Sequence, residues 1–409
     1  MRTLQSLLVC ATHRLVDRGC VRLYEWSSRS TIGRAFFVLL ALFPSTLHAA
    51  DYDACRQLLV TGKYEACIAA TSQAIAERQY GDRWHVLKAE AQLTLGRYKF
   101  AQATVTDGLK HNATSIRLRH LGYTTLLRAG QTEQARKLLG EIDDLATRAP
   151  WRYTDTENLI TLGESALLIG AGARDVLEGF YDKARSNSPD RVEPLVAIAE
   201  LALTKDDREL ATEILQRALK KFPDHPGVHF GLARALSSSE PQRAASSLAK
   251  ALSINPRHMS ALLLQTEQAI DAERYADALT HINQVHAINR HEPRAWAYRA
   301  VLAHLEHDTK GEVAFRAAAL AGWQQNPAVD YLIGRKLSQK YRFAEGAIYQ
   351  RRALEFDTKY LPARRQLCQD LLRLGKEGEG WELADALHKS DGYDVTTFNL
   401  LELRDRIAS

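Results

Sequence analysis

The sequence is poor in the two residues that most often interrupt regular structure, with 23 glycines and 11 prolines in 409 residues. These two residues together make up about 12% of an average chain, and this chain has fewer. A collagenous or low-complexity protein is therefore excluded. Hydrophobic residues at 45% and charged residues at 25% are ordinary for a folded protein and exclude a mainly disordered or multi-spanning chain. We therefore expect short turns and a sizeable buried interior.

Excess positive charge is nearly absent after the first fifty residues. The net charge is +5, but residues 1–50 hold six arginines and only two acidic residues, Asp17 and Glu25. The rest of the chain is almost neutral, so a basic surface that binds nucleic acid is not expected. The basic excess instead indicates a targeting segment.

Residues 35–43 form an apolar run that follows Arg34 and precedes Pro44, which is the layout of a secretory signal. Nine residues are too few for a membrane-spanning helix, which needs about 20. We predict that residues 1–50 are a leader, that cleavage falls near Ala49 or Ala50, and that the chain is exported to a periplasmic or extracellular location. An uncleaved leader that anchors the chain and a buried first helix are the alternatives.

The sequence contains none of the short motifs that mark common hydrolase, nucleotide or zinc sites. His-Glu-x-x-His, Gly-x-x-x-x-Gly-Lys-Ser/Thr, Gly-x-Ser-x-Gly and Cys-x-x-Cys do not occur. A metal site needs a third ligand and supporting hydrogen bonds, so the paired His225 and His229 and the cluster at 281, 286, 291, 304 and 307 are interpreted as surface histidines. We predict no enzyme, no catalytic residues, no metal and no cofactor.

A repeat of 34 residues organises the rest of the sequence. The segment 61–67, with Gly62 and Tyr64, returns at 95–101, with Gly96 and Tyr98. Continuing this frame gives a column of small or tolerated residues at 67, 101, 135, 177, 211, 244, 278, 312, 346 and 380, and an alanine column seven residues further on. Such self-similarity indicates a repeat architecture.

Each repeat has the apolar periodicity of helices. Leu210, Ile214 and Leu215 are spaced three to four residues apart or adjacent on one helix face, and no alternating strand pattern interrupts this spacing. Each unit is therefore predicted to be two antiparallel helices with one shared apolar face. A single hairpin cannot bury that face alone, so the units must stack.

The Gly-x-Tyr-x-x-Ala core at Gly96, Tyr98 and Ala101 makes the chain similar to tetratricopeptide-repeat proteins. The resemblance implies an all-α fold: a right-handed α-solenoid of about ten stacked helix-turn-helix repeats over residues 51–394. Glu312, Gly346 and Gly380 depart from the alanine that the family usually has in its second helix.

Two segments lie outside the repeat. Eight extra residues fall near 143–154, around Trp151 and Tyr153, which either form a binding lip or cap the neighbouring helix. Residues 395–409 are predicted to be an amphipathic capping helix, with Phe398, Leu401 and Leu403 available to cover the last unit or to contact a second copy.

Cysteine is rare, and two of the five cysteines lie in the leader. The resemblance places Cys55 and Cys67 where the paired helices of the first unit touch most closely, within bonding reach. In an oxidising compartment we expect a disulfide that staples this hairpin; in a reducing one, both are buried thiols. Cys368 is expected to be buried, unpaired and unreactive.

The concave face of such a solenoid, lined by the first helix of each unit, binds peptide segments. Arginines on this face can hold carboxylates, so an acidic or C-terminal peptide is the expected ligand. The alternative is a solvated helical face with local ion pairs. The groove residues predicted in the last two units are Tyr331, Arg335, Arg365, Gln369 and Arg373.

These observations predict a non-catalytic protein-interaction scaffold or adaptor in an extracytoplasmic compartment. The expected partner is a protein or peptide and not a nucleic acid, and peripheral association with the envelope is compatible with this prediction. The alternative is the recognition arm of a metallopeptidase whose catalytic domain is missing from this chain. That alternative rests on residues 392–401, which resemble the connector to such a domain in larger tetratricopeptide proteins.

Overall fold

The computed structural model describes residues 51–390, 392 and 395–408. The predicted leader at residues 1–50 lies outside the described residues. Every regular element in the described part of the chain is helical, so the prediction of an all-α fold is confirmed. Across these same residues, no helix combines the length and the apolar character that crossing a membrane requires.

The helices follow one another as first and second members of successive hairpins. They are α1 (Tyr52–Val60), α2 (Tyr64–Ala76), α3 (Arg83–Thr94), α4 (Tyr98–His111), α5 (Ile116–Arg128), α6 (Thr132–Arg148), α7 (Thr156–Leu168), α8 (Ala173–Val176), α9 (Asp182–Asn187), α10 (Glu193–Thr204), α11 (Arg208–Lys221), α12 (Pro226–Ala235), α13 (Pro241–Ile254), α14 (Met259–Asp271), α15 (Tyr275–Ile288), α16 (Pro293–Leu305), α17 (Thr309–Leu320), α18 (Pro327–Gln339), α19 (Phe343–Phe356), α20 (Leu361–Arg373), α21 (Glu377–Ser390) and α22 (Val395–Ala408). In the fourth unit, α8 and α9 with the turn between them form the second helix.

The turn between the two helices of a unit has the same backbone geometry almost throughout. One residue in it adopts a left-handed conformation, with φ between +59° and +97°. Glycine adopts this region without strain and other residues do so at a cost of about 1–3 kcal/mol. The residues concerned are Gly62, Gly96, Gly130, Gly170, Asp206, Glu273, His307, Tyr341 and Gly375. The first three and the last four of them are each 34 residues apart, which confirms the 34-residue repeat in those units.

Small buried residues let the two helices of a unit approach closely. The first predicted column is at most 2% exposed at Cys67, Ala101, Ala135, Ala211, Ala244 and Ala278. The second column is at most 4% exposed at Ala74, Ala184, Ala218, Ala251, Ala319 and Ala353. Close-packed interiors tolerate little extra volume at such crossings, which explains why both columns are visible in the sequence.

The fourth unit departs from the predicted frame. Leu177 was assigned to the small-residue column, but it is only half-buried and begins a π-helical turn, Leu177–Tyr181. Val176 takes the fully buried place instead. A π turn accommodates one extra residue within a helix, and here it brings the ring of Tyr181 against Gly163, where a Cβ would lie 2.3 Å from a ring carbon.

The extra residues before the fourth unit extend α6 to 17 residues and add a 3₁₀ turn, Pro150–Arg152. The two aromatic residues of this segment have different environments. Tyr153 is 5% exposed and its hydroxyl donates a hydrogen bond to Thr114 O at 3.0 Å, whereas Trp151 is 71% exposed. Tyr153 therefore caps the neighbouring hairpin, and Trp151 faces solvent.

Turns of the first three units rest on loops that lie about 190 residues further along the chain. The contacting pairs are Gly62 with Asn255, Gly96 with Asn289, and Gly130 with Gly322. These loops follow the sixth, seventh and eighth units. We call this line of contacts the seam, because it joins one superhelical turn of the solenoid to the next.

Buried asparagine side chains hold the seam together. Asn255 Nδ2 donates to Val60 O at 3.0 Å, and Asn289 Nδ2 donates to Tyr98 Oη at 3.0 Å. The Oδ1 atom of each asparagine accepts a backbone N–H of its own loop. Both asparagines are at most 3% exposed, and their bonded amides avoid the cost of burying unsatisfied polar groups.

A shared apolar core reinforces the seam. One cluster of buried residues contains Cys55 and Trp84 from the first two units together with Leu263, Ile282 and Val301 from the seventh and eighth units. Hydrophobic burial therefore connects units that are far apart in sequence. A linear stack, in which each unit contacts only its neighbours, does not describe this protein.

The C-terminal helix α22 covers the last unit only in part. Leu401 is 9% exposed and packs with Cys368 and Leu387 of that unit, whereas Phe398 and Leu403 are more than half exposed, so of the three predicted residues Leu401 covers the last unit. The start of α22 also reaches the fifth unit, where Thr396 Oγ1 donates to Asp206 Oδ2 at 2.7 Å.

Gly96→Ala is expected to destabilise the protein more than Gly375→Ala. Both glycines have positive φ, +67° and +71°, so both substitutions introduce backbone strain of about 1 kcal/mol or more. A Cβ on Gly96 would also lie 2.1 Å from Asn289 Oδ1, while Gly375 has nothing within 4 Å. Displacing Asn289 should cost a further 1–3 kcal/mol, roughly, in lost buried hydrogen bonds.

Chemical denaturation of the 51–409 chain, followed by far-ultraviolet circular dichroism, measures both free energies of unfolding. Equal losses in the two variants would show that the seam does not contribute to stability.

Candidate functional site: the inward face of the first helices

The first helices of successive units pack side by side, as α3 does on α5 and α16 on α18. Their remaining face is directed inward. Side chains four units apart meet across this face, since the guanidinium of Arg56 on α1 pairs with the carboxylate of Glu193 on α10. The inward face is therefore narrow enough for the protein's own side chains to cross it.

Arginines and carboxylates alternate over the inward face of the first five units. Arg117 pairs with Asp82, and Arg191 pairs with both Glu157 and Glu193. A cavity of about 610 Å³ lies among them, lined by Tyr52, Asp53, Arg56, Arg83, Arg117, Asp155, Glu157 and Arg191. Both signs of charge are present, so this cavity is not a dedicated anion site.

Two glutamates on the same face are shifted toward their protonated forms. Burial raises the pKa of Glu90 to about 7, although Arg56 and Arg117 oppose the shift. Enclosure by the helices, together with the charge of Glu90, raises the pKa of Glu164 to about 7 as well. The Glu164 side chain keeps 48% of its surface accessible to water inside the solenoid, so its desolvation is partial.

His120 lies beside Glu164 and stays neutral. Its Nε2 is 3.4 Å from Glu164 Oε2, and its Nδ1 is 3.1 Å from Ser165 Oγ. Burial lowers the pKa of His120 to about 4. This part of the inward face therefore gains protons on its glutamates before its histidine becomes charged.

Glu267 on α14 organises the inward face of the seventh to ninth units. Its Oε1 accepts a hydrogen bond from Arg335 Nη2 at 2.8 Å and lies 3.1 Å from Lys336 Nζ, and its Oε2 accepts from Tyr298 Oη at 3.1 Å. Burial opposes ionisation of Glu267, but Arg335 and Lys336 outweigh it and lower its pKa to about 2. These contacts join the first helices of the seventh, eighth and ninth units.

Two predicted groove residues lie on α18 within this network. Arg335 is committed to Glu267, so its guanidinium is shared with an internal carboxylate. Tyr331 packs edge-on against Tyr360 with ring centroids 5.8 Å apart, and the Arg335 guanidinium carbon lies 5.8 Å from the Tyr331 ring centroid. The local ion pair considered as the alternative for the arginines is therefore what Arg335 forms.

The other three predicted groove residues share one face of α20. Arg365 and Gln369 are half-buried and Arg373 is exposed, and their spacing of four residues aligns them along the helix. The buried Asp370 is directed to the other side, where it accepts a hydrogen bond from Ser338 Oγ at 2.8 Å. The structure thus brings the predicted residues together as two groups on adjacent first helices.

Lys336 was missed by sequence reasoning, although it is fully buried. It directly follows the groove position of Arg335, which in a regular repeat places it off the inward face. It reaches Asp271 Oδ1 at 2.8 Å, two units earlier. One feature of the sequence could have indicated this network: Glu267 and Arg335 have opposite charges and occupy equivalent positions of two units, 68 residues apart.

Two of the histidines noted in the sequence, His304 and His229, have clear side-chain partners. His304 lies 3.0 Å from Glu312 Oε2 through Nδ1 and 2.6 Å from Glu345 Oε2 through Nε2. His229 is 8% exposed, with Nε2 2.7 Å from Pro223 O, so its interpretation as a surface residue is wrong. No group of three metal-ligating side chains is assembled in the described part of the chain.

Cys55 and Cys67 lie together in the core of the first hairpin and are at most 4% exposed. Both are free thiols in the structure, so the predicted disulfide is not formed in it. Burial raises the pKa of Cys67 to about 12, which keeps this thiol protonated. Cys368 is fully buried with Sγ 3.2 Å from Gly380 O, and burial raises its pKa to about 11.

No family model matches this chain, and no curated protein matches it in sequence. Among solved structures, yeast Tom70 is similar with a TM-score of 0.41 and 12% identity, over 85% of each chain. The APC/C hetero-tetramer Cut9–Hcn1 is similar with a TM-score of 0.38 and 12% identity, over 86% of this chain and 82% of that chain. Similarity at this level carries no argument about function.

The class of protein follows from the chain's own geometry. Helical hairpins at a 34-residue spacing, with small residues at each crossing and a left-handed residue in nearly every turn, define an α-solenoid of the tetratricopeptide type. The predicted fold class is thereby confirmed.

Glu90→Gln is expected to stabilise the protein increasingly as the pH rises from about 5 to 8. The folded wild type keeps Glu90 protonated up to a pKa of about 7, whereas the unfolded chain ionises it near 4.3. The stability contributed by this proton is therefore lost as the pH rises through that window. The variant should equal the wild type near pH 4 and exceed it by about 1 kcal/mol or more at pH 8.

The measurement is urea denaturation of both proteins at several pH values. His120 titrates in both proteins, whereas Glu164 is coupled to the charge of Glu90, so the difference between the two proteins reports Glu90 together with its effect on Glu164. Glu209→Gln, which removes an exposed glutamate, serves as the control for the loss of one carboxylate. Parallel stability curves for Glu90→Gln and the wild type would contradict the assignment.

Proposed function

We propose that this chain is a non-catalytic scaffold that holds a partner protein or peptide. The observation that supports it is the crossing of the inward face by the protein's own ion pairs, from Arg56 to Glu193 and from Glu267 to Arg335. These pairs fix the spacing of units that are distant in sequence. A solenoid cross-linked in this way is a rigid platform, and rigid surfaces lose little conformational entropy when they bind.

Within this scaffold, we propose that a partner binds to α20 through Arg365, Gln369 and Arg373. Their shared face continues the inward surface beyond the network around Glu267. A guanidinium donates paired hydrogen bonds to a carboxylate, so the proposed ligand is an acidic segment or a chain terminus. Arg335 is paired with Glu267, so the proposed site lies on α20.

We further propose that the protein acts outside the cytoplasm, at the periphery of the envelope or free in the periplasmic or extracellular space. The arginine-rich start and the short apolar run of residues 1–50 support export. Cys55 and Cys67 belong to one buried cluster, and in an oxidising compartment we expect them to form a disulfide across the first hairpin.

Arg365→Glu combined with Arg373→Glu is expected to weaken capture of an acidic peptide by more than about tenfold, because two attractive charges become repulsive. The probe is a fluorescent glutamate-rich peptide with a free C-terminal carboxylate, and its anisotropy is followed during titration with the 51–409 chain.

Arg136→Glu combined with Arg148→Glu is the matched control. It changes the net charge equally, but both residues are about 70% exposed on α6, away from the inward face. Equal affinity of the wild type and the α20 variant would remove the proposed site, and equal weakening in both variants would show a nonspecific charge effect.

A thiol count tests the proposed disulfide. Leader-free protein recovered from an oxidising compartment and denatured without reductant is expected to show one reactive thiol per chain, that of Cys368, and three after reduction. Mass spectrometry after alkylation gives both numbers. Three thiols before reduction would show that Cys55 and Cys67 remain unpaired.

A further inference from the structure

A cleft of about 650 Å³ opens at the seam, between the turns of the second and third units and the eighth unit. We call it the seam cleft. Its volume is within the range of roughly 300–1,000 Å³ that is typical of ligand sites. Its lining includes Arg97, Lys99, Phe100, Arg128, Trp296 and Trp323.

The apolar wall of the seam cleft is preformed. Trp296 Nε1 donates to Arg290 O at 2.9 Å, and its ring contacts His286 and Phe315 at centroid distances of 4.3 and 6.1 Å. Trp323 lines the same cleft half-buried, and Phe100 at its rim is 67% exposed. A fixed aromatic wall loses little conformational freedom when it receives an apolar group.

The charged side chains that line the seam cleft are basic, and the buried Glu292 lies close enough to Arg128 for their charges to interact. Arg97, Lys99 and Arg128 line it, and no aspartate or glutamate is among its lining residues. Within the described part of the chain, none of these three cations has an ion pair. Arg97 and Lys99 are exposed and Arg128 is half-buried. A basic rim beside exposed aromatic surface is complementary to a protein segment that is apolar at its centre and acidic on both sides.

We propose that the seam cleft binds a short segment of another protein, in which an aromatic or large aliphatic side chain enters the cleft and flanking acidic residues meet Arg97, Lys99 and Arg128. Several residues of the rim are exposed, so the cleft is open along one side. An open cleft admits a side chain whose backbone stays at the surface. An enclosed cavity, as needed to bury a long acyl chain, is not present there.

This inference goes beyond the proposed site on α20 and does not depend on it. The seam cleft exists because the second and third units are packed against the eighth, whereas α20 belongs to the tenth unit. The two sites are therefore separable by substitution.

The test uses a fluorescent peptide with one tryptophan flanked on each side by two glutamates, with both ends blocked. The 51–409 chain is expected to bind it at least tenfold more tightly than peptides in which alanine replaces the tryptophan or lysines replace the glutamates. Equal binding of the three peptides, or none by the tryptophan peptide, would overturn the proposal.

Lys99→Glu combined with Phe100→Ala is expected to weaken binding of this peptide at least tenfold. Both residues are exposed, so the variant should fold normally, and its circular dichroism melting curve should match that of the wild type. Lys389→Glu combined with Ile348→Ala, also exposed, is the matched control and should bind as the wild type does. Full affinity in the seam variant would overturn the proposal.

Two further arms locate the peptide. Phe100→Ala alone should weaken binding without changing its salt dependence, whereas Lys99→Glu alone should reduce the salt dependence. If Arg365→Glu with Arg373→Glu weakens this peptide instead, the peptide binds on α20, and the seam assignment fails while the proposed function stands. Dodecanoate tests for an acyl-chain ligand. If it displaces the labelled peptide at a lower concentration than the unlabelled peptide does, the proposal of a protein partner is overturned.

Discussion

The structure depends on the contact between one superhelical turn of the solenoid and the next. At the seam, a glycine turn lies so close to a buried asparagine that there is no room for a Cβ at Gly62 or Gly96. Asn255 and Asn289 bond both to that turn and to their own loops. This geometry couples local backbone conformation to a contact about 190 residues away, and the shared core around Trp84 and Val301 adds hydrophobic burial to it.

Closure of the seam determines how the inward face is used. When successive superhelical turns are packed together, the first helices of non-adjacent units come within reach of one another. Arg56 then forms an ion pair with Glu193, and Glu267 forms one with Arg335. These charges would be paired by a peptide in an open groove. Here they are paired internally, so these charges are already engaged within the protein.

The glutamates on the inward face differ in protonation state, because the pKa of Glu267 is lowered and that of Glu90 is raised. Glu267 stays ionised because Arg335 and Lys336 are bonded to it, and its pKa falls to about 2. Glu90 has arginines nearby, but burial dominates and its pKa rises to about 7. The deciding factor is direct hydrogen bonding of the carboxylate, since a cation at a distance compensates only part of the desolvation.

The sequence alone determined the local architecture: a 34-residue period, two helices per unit, and small residues at positions such as Ala101 and Ala211. Each of these features reflects contacts within a hairpin or between neighbours, so it repeats along the chain and can be read from it. Only the tertiary structure decided that Gly96 meets Asn289, that Arg335 pairs internally, and that Trp296 and Phe100 border one cleft. These contacts join units far apart in sequence, and their geometry depends on the small rotation between successive hairpins, accumulated over several units, which no single repeat encodes.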